Sequence, residues 1–145
     1  MKINDGAQFE MQNIFGLGRE NSAFAQYFTG RSYLNPLTVP GECAVFLANV
    51  TFEPGCRNNW HIHRASRGGG QLLICTAGSG WYQEAGRPAV SLEPGMCITI
   101  PANVKHWHGA KKDSWFAHIA VEVPGEDTSN QWLEEVDNTI YDSLE

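Results

Sequence analysis

The chain has 145 residues, with 10 basic against 16 acidic side chains for a formal charge of -6. A chain of this length buries roughly 68–70% of its unfolded surface, enough for one core without disulfide staples, so one domain is the economical reading. The acidic balance, without a basic run, argues against a nucleic-acid partner, and no apolar stretch is long enough to span a bilayer.

The opening Met1-Lys-Ile-Asn-Asp-Gly6 is polar and lacks the order of a secretion signal, so a cytoplasmic protein is expected. Residues 1–42 read as an irregular arm with aromatic anchors Phe9, Phe15, Phe24, Tyr27 and Phe28, followed by the turn-rich segment 35–41. From about residue 43 to 123, short strands alternate with turn signals: 43–52, 60–64, 71–76, 80–84, 89–92, 96–100, 105–110 and 115–123. Regular short strands of this kind make an all-β sandwich or barrel. Beyond Thr128 the period changes. Trp132, Val136, Ile140 and Leu144 recur every four residues, with Thr128 and Gln131 placed as a capping box, which predicts an amphipathic helix over about 129–144. The four cysteines, Cys43, Cys56, Cys75 and Cys97, show no Cys-x-x-Cys spacing and read as reduced packing residues. Cys75 shares strand parity with Gln71 and Leu73, so it either lines a pocket or packs as a small hydrophobe.

Chemistry concentrates in a few polar side chains. Alternate residues of a strand face the same way, so His61 and His63 aim together while Ile62 faces the other side. Gln71 opens the next strand, after the glycine-rich loop Arg64-Ala-Ser-Arg-Gly-Gly-Gly70. His106 and His108 share parity on a later strand, and the spacing alone does not choose between them. Imidazole nitrogen and amide oxygen together suit divalent first-row metals, and four such ligands leave an octahedral ion with two open positions. His118 shares one face with Phe116 and Ala120, and as a buried imidazole near the site it reads as a general base, a substrate anchor or a satisfied core histidine. Val50, Phe52, Leu73 and Phe116 have inward parity and are expected to set the volume of a pocket. Arg64 and Arg67 lie where a guanidinium could meet a substrate carboxylate, or could simply be solvated. The Lys111-Lys112-Asp113 turn reads as hairpin surface.

Two frames carry a resemblance. One runs Gly55, His61-Ile-His63, Gln71, Gly78, and the other Gly95, Pro101, His106. They are similar to the two motifs of the cupin superfamily of small β-barrels, except that the first motif normally has a Glu three or four residues after its second His. Here seven residues intervene and the residue is Gln71, which still stands six residues before Gly78 as the motif's Glu would. Across residues 27–121, the segments Phe28-Thr-Gly30, Val50–Gly55, Trp60-His-Ile-His63, Thr76–Trp81 and Lys105–Ala110 resemble the manganese-dependent cupin hydroxynitrile lyases and the cupins related to carboxymuconolactone decarboxylase partners. The resemblance implies a cupin barrel and a homodimer. It implies metal ligands at His61, His63, Gln71 and His106, and a further pocket histidine at His118. It also favours His106 over His108 as the ligand and leaves His108 beside His118 as a catalytic candidate.

These readings converge on a metal-binding barrel with a small-molecule substrate. Manganese is the first expectation for the ion, with iron, zinc, nickel and cobalt as alternatives. A neutral Gln in place of Glu leaves a divalent ion less compensated, hence a stronger Lewis acid. That suits a metal-dependent lyase or isomerase acting on a small hydroxy or carbonyl compound. A metal-dependent dioxygenase, or a non-catalytic small-molecule sensor, are the alternatives.

Overall fold

Period-two patterning sets the architecture. Along the strand Gln71–Gly78, residues 71, 73, 75 and 77 are buried while Leu72, Ile74 and Thr76 between them reach solvent in part. The computed structural model describes residues 1–145. Its strands form two main antiparallel sheets. The first runs in the order Arg19–Glu20, Ser32–Pro36, Phe46–Phe52, Phe116–Glu122, Gln71–Gly78, Cys97–Ile100. The second runs Val90–Leu92, Gly80–Glu84, His106–Ala110, Arg57–Asn58, Phe28–Thr29, with His61–Arg64 also paired to His106–Ala110. Phe52, Leu73, Leu92, Ile100 and Phe116 are fully buried together at the centre. Each such side chain contributes on the order of 1.5–3 kcal/mol on burial. Cys75 belongs to this packed cluster, and burial pushes its thiol up to about 12, so it is a small hydrophobe.

The strands expected over 43–123 are all present, within a few residues at their ends. The N-terminal arm is more ordered than its sequence indicates. Helix Gly6–Gln12 is capped by Asp5, whose carboxylate accepts from the Gln8 N–H at 2.8 Å, and it drives Phe9 against Ile3, Ala77 and Ala117. Seven residues are too few to display an apolar stripe. Ser32–Pro36 joins the first sheet beside Phe46–Phe52, with its proline at the strand end where a missing N–H is tolerated.

The helix expected over 129–144 is largely replaced. Ser129–Trp132 is a strand pairing with His61–Arg64, and only Asn138–Asp142 is helical, capped by Asp137. Residues four apart share a face in a strand as well as in a helix, so the spacing did not discriminate. The outer edge of His61–Arg64 supplies the unpaired backbone groups that decide for the strand. Arg57 ties the following segment down by donating to the Val136 carbonyl and to Asn138 and by stacking over Tyr141. Lys111 also departs from expectation. It is buried over the Trp81 ring, with Nζ 4.3 Å from the ring centroid.

Candidate metal centre and its cavity

The register of the sheets assembles the site from cross-strand neighbours. His106 stands opposite His61, Asn130 opposite His63, and Glu122 opposite Gln71. One ligand atom from each of His61, His63 and His106 lies within 4.8 Å of the others, and all three residues are buried. The Gln71 side chain is buried as well. It follows Gly68, Gly69 and Gly70, whose φ values of 61, 74 and 91 let the extended loop return to the barrel.

The hydrogen bonds orient these groups. His61 Nδ1 is 2.8 Å from the Asn59 carbonyl, His63 Nδ1 is 2.8 Å from Asn130 Oδ1, and His106 Nδ1 is 2.9 Å from the Val104 carbonyl. Each acceptor requires the proton on Nδ1, which leaves the Nε2 lone pair free, the arrangement seen in metal-binding histidines. His63 Nε2, His106 Nε2 and Gln71 Oε1 are buried without any hydrogen-bond partner. Buried polar atoms left unpaired are costly, and several converging acceptors without a donor fit a cation. Burial holds the pKa of His61 well below the ordinary imidazole value and pushes that of His106 down to about 4. Both are therefore neutral near physiological pH, the state in which imidazole binds metal.

The centre opens on a cavity of about 510 Å³, within the range of small-molecule sites. Phe24, Phe28, Leu34, Val50, Phe52 and Trp132 supply apolar wall, while His61, His63, Gln71, His108 and His118 supply polar atoms. Glu122 is the one carboxylate among the lining residues, and Lys and Arg are absent from them. His118 is fully buried, its ring nitrogens have no partner, and burial pushes its pKa down to about 4. It meets His108 edge to face, with ring centroids 4.9 Å apart. His108 is engaged by Asn58, whose amide nitrogen lies 3.2 Å from Nε2.

The expected site residues therefore separate. His61, His63 and His106 come together, and Gln71, His108, His118, Val50 and Phe52 line the adjoining cavity. Leu73 does not line it. Its side chain points inward but lies fully buried in the packed centre, because strand parity fixes a face and not a depth. Arg64 does not line it either. Its guanidinium is on the exposed side of its strand, held by Gln131 Oε1 at 2.8 and 2.9 Å, and it borders an adjoining cleft of about 320 Å³. Arg67 pairs with Glu126 on the surface. Asn130, Trp132 and Glu122 were missed. The first two fell in a segment read as helix, whereas Glu122 has the same parity as His118 and could have been found.

A barrel of two antiparallel sheets with a three-histidine cluster on paired strands defines a β-barrel able to hold a metal ion. Residues 48–121 match the Cupin domain family, and the chain belongs to it. It is 37% identical over 118 residues to an (R)-mandelonitrile lyase of Granulicella tundricola, covering 81% of this chain and 87% of that protein. Among solved structures, a cupin-like protein of Thermotoga maritima is similar with a TM-score of 0.77 and 37% identity, covering 88% of this chain and 93% of the other. The fold also matches a DMSP lyase of Ruegeria pomeroyi, with a TM-score of 0.55 and 18% identity over 78% of this chain and 55% of that one.

Proposed function

We propose that the protein is a metal-dependent lyase that cleaves small 2-hydroxynitriles to a carbonyl compound and hydrogen cyanide. One observation carries this reading: His118, neutral and without a partner, faces the same cavity as the buried, unpartnered acceptors of His63 and Gln71, beside the cluster of His61, His63 and His106. The kinship to an (R)-mandelonitrile lyase supports the choice of reaction. These ligands would hold a divalent first-row ion, manganese by preference, which when bound supplies positive charge to stabilise developing negative charge on the substrate.

The chain's own groups do the rest. The apolar walls from Phe28, Val50, Phe52 and Trp132 take the organic body of the substrate and exclude water. A ring nitrogen of His118 accepts the hydroxyl proton, the carbon–nitrile bond breaks with its electron pair leaving on cyanide, and the imidazolium returns the proton to yield hydrogen cyanide. His108, held by Asn58, fixes the His118 ring by edge-to-face contact.

The test is metal content by elemental mass spectrometry on protein purified without chelator, followed by cyanide release from mandelonitrile with the loaded protein. About one ion per chain and metal-dependent cyanide release are expected. A loaded protein that releases no cyanide from aromatic or aliphatic cyanohydrins overturns the lyase. Oxygen uptake with iron would then favour a dioxygenase, and ligand-induced stabilisation without turnover a sensor.

A further inference from the structure

The amide of Gln71 has two ends of nearly equal shape, and only the oxygen can serve a cation. What decides its orientation is Glu122. Gln71 Nε2 donates to Glu122 Oε1 at 2.9 Å, and a carboxylate accepts but does not donate. With the NH₂ thus committed to Glu122, Gln71 Oε1 is left buried without a partner on a residue that lines the same cavity as His61 and His63. The second oxygen, Glu122 Oε2, lies 3.4 Å from His63 Nδ1. The two residues are opposed in the register of adjacent strands, so the sheet itself holds the pair together.

We infer that Glu122 is a positioning residue for the metal centre, locking the Gln71 amide with its oxygen inward and supplying the negative charge that Gln71 lacks, one hydrogen bond away from the ion. This rests on the metal-site reading and corrects one element of it: the site is less poor in anionic charge than its ligands alone indicate. Partners of this kind orient ligands, and their loss typically weakens metal affinity by about 10–100-fold.

The experiment measures manganese affinity by chelator competition for the wild type, E122L and the exchange Q71E/E122Q, with the melting temperature of each metal-free protein recorded beside it. E122L removes the acceptor and should bind manganese about 10–100-fold more weakly. The exchange moves the carboxylate to position 71 and keeps a hydrogen bond across the pair, so it should recover most of that loss. A merely structural role would lower the metal-free melting temperature without this pattern of loss and recovery. Wild-type binding with unchanged affinity in E122L, or an exchange no better than E122L, overturns the role of Glu122 and leaves the metal centre standing. Absence of manganese binding by the wild type overturns both.

Discussion

His118 separates binding from chemistry at the level of a single residue. It lies outside the ligand cluster yet faces the same cavity, so His118→Ala should leave metal content at the wild-type level while lowering turnover by about 10²–10⁴-fold, the usual contribution of a general acid–base group. Elemental analysis and cyanide release on the same preparation check it. Its pKa, pushed down to about 4 by burial, gives the sign of the pH dependence. The neutral ring is the proton acceptor, so kcat at saturating metal should fall only as pH drops toward 4 and should stay level through the ordinary imidazole range near 6.5. An acid limb centred near 6.5 would contradict a buried base. At this scale the sequence was informative for side chains whose spacing encodes a shared face. His61 with His63, and Phe116 with His118, were legible from period two alone. Leu73 was misjudged because the same rule is silent about how far along the barrel a packed centre gives way to a void.

The element that most changes the picture is Ser129–Trp132. It closes the open side of His61–Arg64, brings Asn130 to His63 Nδ1, and lays Trp132 against His61 at 4.7 Å between ring centroids. Asn130→Leu removes the main acceptor that fixes the His63 tautomer and should weaken metal binding by about tenfold or more, measured by chelator competition. Unchanged affinity would show that Glu122 alone suffices to orient His63. This element was hidden in the sequence because four-residue spacing of Trp132 and Val136 satisfies both periods, and because the deciding term, an unpaired edge some 67 residues earlier, is not local. By contrast the barrel strands were legible, since each lies between turn residues and carries its own alternation.

For the whole molecule, the histidines should couple stability to both metal and protons. The metal-free site keeps several buried acceptors unpaired, and an ion that binds only the folded chain adds about 2.7 kcal/mol at a concentration of 100 Kd. For a domain of this size that corresponds to a rise in Tm of about 5–10 °C, to be read by calorimetry with and without chelator. Proton linkage has the opposite sign. Folded pKa values near 4 for His106 and His118 lie below the value of 6.5 expected when unfolded. Between those limits the unfolded chain binds more protons, so the metal-free protein should be stable above about pH 6.5 and lose stability progressively toward pH 4. A Tm independent of pH over that window would mean that these rings are solvated.

The closing strand also has a temporal meaning. Asn130 follows His63 by 67 residues, and at about 5–20 residues per second the ribosome takes roughly 3–13 s to deliver it. Throughout that interval the nascent chain carries His61 and His63 on an unfinished edge, without the acceptor that sets one of their tautomers. A metal centre built on these side chains is therefore complete only once Ser129–Trp132 has been made and paired.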